Sequence, residues 1–386
     1  MKIAIISPYP PSKIGLNEYT RHLVEEFAAH PDLEILILAD DTEPGLAEIP
    51  LPKNARLIRC WRYNDATSLF RILRAVWNFK PDVINAQLLF STFGDQRVPA
   101  SLGLLIAPIL RLLGYPVVVT LHHLIEFIEI NSTVLGKSYS TQKALELMTS
   151  LLVRFTTVVV LQQRYADVLA TKYGSRTSTL IRHGYYTYLG KPRSYLAGHN
   201  ILVFGKFGTY KRLELAMDVL RHVQESFPVA TLTVCGTSHP STPNYIDEVK
   251  AKYAGLTGVK FTGYVPEEDL PAEFAKSDVM LLPYESCTGV ASAELHACRF
   301  GLPIVSPSVS ELSAQHEEEG IRVESFDRGN AVQAAERITS LFTDRDRMQF
   351  IADMNFALAV RTPMAEVAEC YVSLFGRLLN DGQNKS

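Results

Sequence analysis

The chain has 386 residues, a formal net charge of −3 at neutral pH, 47% hydrophobic residues and 20% charged residues. This length exceeds what one hydrophobic core usually supports, so two domains are expected. The small negative charge provides no overall positive field for phosphate backbones, which argues against a nucleic-acid partner. The five cysteines lack C-x-x-C spacing, so the sequence favours neither a zinc site nor a disulfide framework.

Neither a leader nor a membrane span is predicted. The N-terminal residues enter an apolar strand at once, without the long apolar core and cleavage site of a signal peptide. The most apolar stretch, Leu102–Leu113, contains Pro108 and Arg111 and is too short to cross a bilayer. We therefore expect a cytoplasmic protein, with a buried helix over Leu102–Leu113.

The first half of the chain alternates short apolar runs with longer segments of helical period. The runs are Lys2–Ser7, Leu33–Ala39, Ala55–Cys60, Val83–Ala86, Pro116–Leu121, Val158–Leu161 and Ser178–Ile181. Because strands buried on both faces read as continuously hydrophobic, this pattern predicts a parallel sheet with helices on both sides.

The pattern restarts after residues 186–200, whose Gly, Pro and polar residues are typical of a linker. The later runs are Ile201–Gly205, Ala230–Gly236, Val259–Thr262, Val279–Pro283 and Pro303–Pro307. The sequence thus predicts an α/β protein of two doubly wound, Rossmann-like domains. Ligands of such domains bind at the carboxyl ends of the strands.

Two features of the first half follow predicted strands. Gly15 lies between the first strand and a helix from about Asn17, where a glycine lets a substrate approach the backbone and a helix start offers free N–H groups. His122 follows the run Val117–Leu121 and so lies at a strand's carboxyl end. A plain turn glycine and a hydrogen-bonded structural histidine are the alternatives.

A basic loop opens the second half. Gly205, Lys206 and Lys211 follow its first strand directly, and cations at that place can neutralise a diphosphate without a metal ion. A solvated basic loop is the alternative.

A third loop follows the strand ending near Pro283. The sequence predicts a helix from about Thr288, with backbone amides near Gly289 and Val290 available to an anion. Glu294, one turn into that helix, can accept hydrogen bonds from sugar hydroxyls. Its alternative role is to complement the helix dipole.

Together these features resemble the GT-B glycosyltransferases, specifically the large retaining family 4 that is similar to glycogen synthase and the phosphatidylinositol mannosyltransferases. The resemblance covers nearly the whole chain. Its motifs are Gly15 of a Gly-Gly loop, Val118–His122 of a V-x-T-x-H strand, Gly205, Lys206 and Lys211 of G-R-x5-K, Gly263-Tyr264-Val265 of G-x-V, and Glu294 of E-x7-E.

The sequence departs from the family pattern at three places. Ile14 replaces one glycine of the Gly-Gly pair, and Lys206 stands where arginine is usual. Ser286, with Glu285 beside it, occupies the position of the first glutamate in E-x7-E. The resemblance implies that the first glutamate of E-x7-E contacts the donor sugar, a role that either Glu285 or Ser286 would take in this chain.

The resemblance implies a retaining hexosyl- or N-acetylhexosaminyltransferase of class EC 2.4, active in polysaccharide biosynthesis. It would move a sugar from a nucleotide-diphosphate donor to a hydroxyl acceptor, such as a glycan, glycolipid or small glycoside precursor, without metal or other cofactor. His122 would contact the donor sugar, Lys206 and Lys211 would stabilise the leaving group, and Glu294 would bind the ribose. The other implied donor-binding residues are Gly15, Gly205, Tyr264, Val265, Ser286, Thr288, Gly289 and Val290.

The resemblance also implies the domain plan. Residues 1–188 would form the acceptor domain, with the C-terminal helix 365–386 packing back on it, and 189–364 the donor domain. A nucleotide-sugar epimerase of the same fold and a non-catalytic nucleotide-sugar-binding protein stay open as alternatives. A dinucleotide oxidoreductase is disfavoured because no strand is followed by G-x-G-x-x-G.

One predicted helix suggests a membrane surface. Within Leu69–Lys80, the apolar residues Phe70, Leu73, Val76 and Trp77 would share one face flanked by cations. This favours peripheral association with the inner face of a membrane and a lipid-linked acceptor. The alternative is an ordinary amphipathic helix that covers the sheet.

Overall fold

The computed structural model of the protein describes residues 1–42, 48–127, 139–175, 178–186, 198–239 and 241–383. The chain divides into two compact units, Met1–Gly184 with Met364–Ser386, and Tyr185–Pro363. The sequence places these boundaries a few residues further along. Most of the predicted linker, 186–200, lies outside the described residues.

The first unit is built around a sheet whose seven described strands all pair in parallel. The strands are β1 (Lys2–Ile6), β2 (Glu34–Asp40), β3 (Ala55–Trp61), β4 (Val83–Leu88), β5 (Val117–Leu121), β6 (Thr157–Val160) and β7 (Thr179–Leu180). Their order in the sheet is β3-β2-β1-β4-β5-β6-β7. The order reverses between β1 and β4, and such a switch point opens a crevice at the strand ends.

The helices of this unit shield the sheet. They are α1 (Asn17–Ala28), α2 (Ser68–Phe79), α3 (Arg97–Leu104), α4 (Ile106–Leu112), α5 (Tyr139–Phe155) and α6 (Gln163–Tyr173). In α1 the buried residues Tyr19, Leu23 and Phe27 recur every four positions, which places them on one helix face toward the sheet.

The single buried helix expected over Leu102–Leu113 is instead two helices, α3 and α4. Pro108 falls in the first turn of α4, where the missing N–H costs little. Leu112 and Leu113 at the end of α4 are exposed, so the prediction of burial was wrong for this part.

The second unit repeats the architecture with six described parallel strands. They are β8 (Asn200–Phe207), β9 (Thr231–Ser238), β10 (Val259–Gly263), β11 (Val279–Leu281), β12 (Ile304–Pro307) and β13 (Val323–Phe326). The sheet order is β10-β9-β8-β11-β12-β13, with its switch point between β8 and β11.

The helices of the second unit are α7 (Leu213–Ser226), α8 (Tyr245–Lys252), α9 (Leu270–Ala275), α10 (Ser292–Arg299), α11 (Ser310–Glu319), α12 (Ala331–Thr343) and α13 (Arg345–Arg361). Most of them lie between these strands in the sequence, and the last two, α12 and α13, follow β13. The hydrophobic core of this unit is formed by residues of the strands and of these helices. The two-domain α/β prediction is thus confirmed.

The last helix, α14 (Met364–Gln383), belongs to the first unit. Tyr371 and Phe375 lie one turn apart on its buried face and contact Phe27 of α1, with ring centroids 6.1 and 6.0 Å away. The chain therefore returns to the first unit after completing the second.

Candidate functional site

Two loops of the second unit meet at the switch point, after the neighbouring strands β8 and β11. Lys211 and Tyr284 form an antiparallel bridge between them. The amide of Arg212 donates to the Pro283 carbonyl at 2.9 Å, and the amide of Glu285 donates to the Tyr210 carbonyl at 2.8 Å. These backbone bonds fix the basic loop against the loop that leads to α10.

The Lys211 ammonium is held in this junction. Its Nζ lies 4.7 Å from the centroid of the Tyr284 ring, a distance at which a cation is attracted to the ring face. Burial lowers the pKa of Lys211 to about 8, and the neighbouring Lys206 acts in the same direction. An incoming anion would reverse this shift, since opposite charge favours the protonated form.

Gly205 makes room for that ammonium, and Gly236 makes room for the backbone of Gly205. Gly205 has a φ of 135°, and a Cβ at this position would lie 2.8 Å from Lys211 Nζ. Gly236, its partner on β9, has a φ of 139°, and its Cβ would meet the Gly205 carbonyl oxygen. A side chain at Gly205 would therefore displace the cation.

We expect Gly205→Ala to lower the free energy of unfolding by about 1–3 kcal/mol because of the strained φ, and to abolish stabilisation by a nucleoside diphosphate. Gly320→Ala is the control, because Gly320 also has a positive φ but no atom lies within 4 Å of its Cβ position. Denaturant unfolding with and without the diphosphate measures both effects. An intact diphosphate response in Gly205→Ala would contradict the assignment of Lys211.

Glu294 lies in the first turn of α10 and is fully buried. Its Oε1 lies 2.7 Å from His316 Nε2 and 3.4 Å from the Ser306 hydroxyl. Its Oε2 is buried without a hydrogen-bond partner among the described residues. Because such an atom is costly to bury, the carboxylate is suited to accept hydrogen bonds from a ligand.

The sequence predicted that the helix carrying Glu294 begins near Thr288. In the structure this helix begins at Ser292. Gly289 has a φ of 71°, a left-handed conformation that a right-handed helix cannot include. Thr288 is exposed, while Ser286 is buried and Val290 packs against the core. These residues form a loop that precedes α10 rather than its first turn.

The loop also brings the charges together. The pKa of the Cys287 thiol is raised to about 12, mainly by burial and in part by Glu294, while Lys211 opposes the rise. Both charged groups therefore lie near this thiol. One neighbourhood thus holds a cation, a carboxylate with an unused oxygen, and the loop amides.

Tyr264 and Val265 lie at the end of β10, two strands from β8 in the sheet. Gly263 has a φ of 71° and turns the chain there. Tyr264 is exposed, whereas Val265 packs against the core. The exposed ring offers a flat apolar surface at the same sheet edge as the basic loop.

His122 lies in the first unit, at the end of β5 as predicted. It is buried, its Nε2 lies 2.8 Å from Gln87 Oε1, and the Tyr19 ring meets it edge-on at 4.8 Å. Burial holds the pKa of His122 well below its ordinary value, and His183 and His123 lower it further. The imidazole is therefore neutral at physiological pH.

Gly15 is exposed, and its loop is held by Asp40, whose carboxylate accepts from the Ser12 hydroxyl. A Cβ on Gly15 would lie 3.3 Å from a Leu89 methyl. The left-handed conformation in this loop belongs instead to Leu16, which has a φ of 78° and precedes α1.

The second unit thus brings together Gly205, Lys206, Lys211, the 286–290 loop and Glu294, while Gly15 and His122 belong to the first unit.

The partners of these residues were not predicted from the sequence. Tyr284, directly after a predicted strand, and Gln87, a polar residue inside an apolar strand, had recognisable signals. His316 had none, because α11 is highly charged and carries no distinguishing pattern.

Within the ranges given above, no group of three or more His, Cys, Asp or Glu side chains is placed to hold a metal ion. The described helices also include none that combines the length and apolar character of a membrane span.

Two family models match the chain. Residues 198–344 match the model described as glycosyl transferases group 1, and residues 15–182 match the glycosyl transferase 4-like domain. Each match falls within one of the two units, and together they account for most of the chain. The chain belongs to the group 1, or family 4, glycosyltransferases of the GT-B fold.

Known proteins agree with this placement. The glycosyltransferase is 26% identical over 164 residues to sulfoquinovosyl transferase SQD2 of Arabidopsis thaliana, a match that covers 42% of this chain and 29% of the relative. The matched part is thus less than a third of that curated relative.

Solved structures share the fold. The sucrose-phosphate synthase of Thermosynechococcus elongatus is 16% identical with a TM-score of 0.77, over 99% of this chain and 100% of that one. HepE of Anabaena, solved in complex with UDP, is 16% identical with a TM-score of 0.71, over 98% and 100% of the two chains. At such identities the likeness shows the fold alone.

Proposed function

We propose that this glycosyltransferase transfers a sugar from a nucleoside-diphosphate donor to a hydroxyl acceptor, with retention of the anomeric configuration. The carrying observation is Glu294, a buried carboxylate with one oxygen held by His316 and the other without a partner among the described residues. A ribose carries two neighbouring hydroxyl groups that could donate hydrogen bonds to the second oxygen of Glu294.

The basic loop supplies the second part of the proposal. Gly205 and Lys206, expected after the strand, lie near the end of β8, and Lys211 lies in the loop after it. Burial lowers the pKa of Lys211 to about 8, because the ammonium is largely removed from water. A diphosphate would compensate that charge, and its bond to the sugar would weaken as negative charge develops on the leaving oxygen. We propose that these cations take the place of a metal ion.

The remaining chemistry belongs to the substrates. In the proposed reaction the acceptor hydroxyl attacks the anomeric carbon on the face that the diphosphate leaves, and a departing phosphate oxygen takes the hydroxyl proton. The bond from anomeric carbon to diphosphate breaks as the bond to the acceptor oxygen forms. No side chain is required as a nucleophile in this scheme.

A thermal-shift panel of uridine, guanosine and adenosine diphosphates, and of their sugars, tests the proposal. Uridine diphosphate is the first candidate, because solved structures of the same fold hold UDP or UDP-glucose. We expect the diphosphate of one nucleoside to stabilise the protein. The corresponding nucleotide sugar should be turned over only when an acceptor is added, and this turnover should persist with a chelator present. If the chelator abolished turnover and added magnesium or manganese restored it, the proposed role of the lysines would be contradicted.

The same panel separates the alternatives. A nucleotide-sugar epimerase would convert its substrate without an acceptor and release no nucleotide. A non-catalytic binding protein would show the thermal shift but no turnover with any acceptor.

For the acceptor, we propose a glycan, a glycolipid or a small glycoside precursor in polysaccharide biosynthesis.

We propose that Ser286, rather than Glu285, contacts the donor sugar. The Glu285 carboxylate is engaged by Arg212 at 3.1 Å and by Arg328 at 3.8 Å. Ser286 is buried, in the same loop as Gly289. A serine hydroxyl both donates and accepts, whereas a carboxylate only accepts, which suits a donor with an acetamido or deoxy position.

We expect Ser286→Ala to lower kcat/KM by about tenfold on the identified donor, the loss of one hydrogen bond to a substrate. Glu285→Gln should change kcat/KM little, because it mainly weakens exposed ion pairs. Steady-state kinetics of both variants decides between the residues. A severe loss confined to Glu285→Gln would show that the glutamate makes the contact.

The surface of α2 supports peripheral membrane binding. Phe70 and Trp77 are 70% and 69% exposed, and they share the helix with the exposed cation Arg74. Val76, predicted for the same face, is fully buried instead, and Arg71 pairs with Asp65. Leu112, the last residue of the neighbouring α4, and Leu113 after it are exposed as well. We propose that this apolar and basic surface contacts an anionic membrane.

We expect the protein to co-sediment with anionic vesicles at low salt, and Phe70→Ser with Trp77→Ser to reduce the bound fraction at least about fivefold. Phe350→Ser is the matched control, because Phe350 is a similarly exposed aromatic residue on α13 of the second unit. Absence of sedimentation by the parent protein would favour an ordinary amphipathic helix that covers the sheet.

A further inference from the structure

A short row of buried polar side chains leads to His122 in the first unit. Asn85 and Gln87 lie on β4, a strand buried along its whole length, and both are fully buried. Polar groups at such positions destabilise a fold unless they are hydrogen-bonded. Apolar residues would serve the sheet better, so these two side chains indicate a task other than packing.

The hydrogen bonds of this row indicate which of its side-chain atoms donate and which accept. Gln87 Nε2 donates to Asn85 Oδ1 at 2.5 Å, and Gln87 Oε1 lies 2.8 Å from His122 Nε2. With the amide nitrogen of Gln87 turned to Asn85, the Gln87 oxygen faces His122 Nε2, an arrangement that favours the tautomer with its proton on Nε2. In a neutral imidazole Nδ1 is then an acceptor.

The surroundings keep this imidazole neutral. The titratable groups that face it are His183 and His123, which both disfavour its cationic form, and the Tyr19 ring. Burial lowers the pKa of His183 to about 4, and its Nδ1 lies 3.0 Å from the Gly184 carbonyl oxygen. The Tyr371 hydroxyl of α14 also lies at this row, where it hydrogen-bonds with Gln87 and Tyr19 and is 2.8 Å from the Thr120 hydroxyl.

We propose that Gln87 is a positioning residue that fixes His122 as a neutral ring protonated on Nε2, so that Nδ1 accepts a hydrogen bond from a hydroxyl of the donor sugar. This inference rests on the proposed function, because it requires a sugar donor at His122. A cationic ring can only donate, and the other neutral tautomer would place its proton on Nδ1. The arrangement therefore selects a sugar with a hydroxyl at that position over its deoxy analogue.

The tautomer is measurable without any substrate. In the full chain labelled with 15N-histidine, we expect the His122 signals to show an Nε2–H tautomer and a neutral ring at physiological pH. The His122→Asn variant assigns those signals. A proton on Nδ1, or a cationic ring near neutral pH, would overturn the proposal.

Two substitutions test the role of Gln87. Gln87→Met removes the acceptor, so both tautomers should appear and kcat/KM for the donor should fall about tenfold. Gln87→Glu keeps an acceptor and adds a charge that favours the cation, so the pKa of His122 should rise. Turnover by this variant should then be lost as the pH falls through the new pKa, whereas the parent shows no such limb.

Thr149→Val is the matched control, because it also deletes one buried side-chain hydrogen bond, from Thr149 to the Leu145 carbonyl on α5. It should lower the melting temperature as Gln87→Met does, but leave the His122 tautomer and the pH profile unchanged. Equal activity losses in the two variants would reduce Gln87 to a structural residue. If no nucleotide sugar is turned over, the proposed function fails, and the tautomer measurement still decides whether Gln87 holds His122.

Discussion

Replacing Lys211 with alanine should lower kcat/KM by about 100-fold or more, a loss of ~2.7 kcal/mol of transition-state stabilisation. The reason is that its ammonium would meet the charge that develops on the departing diphosphate. Gly205 leaves the space for the ammonium, and Tyr284 forms one wall of it. Lys211→Met keeps the apolar stem beside the Tyr284 ring and should lose as much activity as Lys211→Ala.

Controls separate this loss from misfolding. Removing a partly buried cation should leave the ligand-free melting temperature of Lys211→Met unchanged or raise it, since burial disfavours the charged lysine. Lys252→Ala removes an exposed lysine of the same unit and should keep full activity. Kinetic constants of Lys211→Ala within a factor of about two of the parent would remove Lys211 from the mechanism.

The pKa of Lys211 adds a pH dependence to binding. In the ligand-free protein this pKa is about 8, and a bound diphosphate should raise it, so binding takes up a proton when the pH exceeds that value. The dissociation constant for the diphosphate should therefore increase above about pH 8, by up to tenfold per pH unit. Titration calorimetry should show this increase in the parent and its absence in Lys211→Met.

Much of the fold followed from local patterns in the sequence. Central strands such as β4 and β5 are buried along their whole length, so their apolar runs were easy to recognise. β13 was missed because this short edge strand alternates buried and exposed residues. The start of α10 was placed too early because the left-handed Gly289 and the extended Ala291 delay the helix to Ser292.

The candidate site was predictable only where it follows strand ends. Lys211 and His122 could be predicted as site residues because carboxyl ends of parallel strands share one edge of the sheet. His316 and Gln315 were not found, since α11 reaches the 286–294 region through tertiary packing alone, where Gln315 accepts from the Ala291 amide at 2.9 Å. Such contacts between distant parts of the chain leave no periodic signal.

The second large effect concerns Glu294. Glu294→Gln should weaken binding of the donor and of its free nucleoside diphosphate by about 10- to 100-fold, the value of hydrogen bonds to a charged group. Glutamine keeps an oxygen for His316, which lies 2.7 Å from the present Oε1, but it replaces the unpartnered Oε2 with a donor. Two ribose hydroxyls then face an amide nitrogen that cannot accept from them.

The kinetic form of this loss identifies the role. A ribose contact is remote from the reacting carbon and binds ground and transition states alike, so KM should rise while kcat changes little. The ligand-free protein should not be destabilised greatly, because the substitution also removes a buried charge. Glu336→Gln, at an exposed position on α12, is the control and should bind as the parent does. A fall in kcat at constant KM would instead assign Glu294 to the reacting centre, and unchanged nucleotide affinity would contradict the proposed function at the residue that carries it.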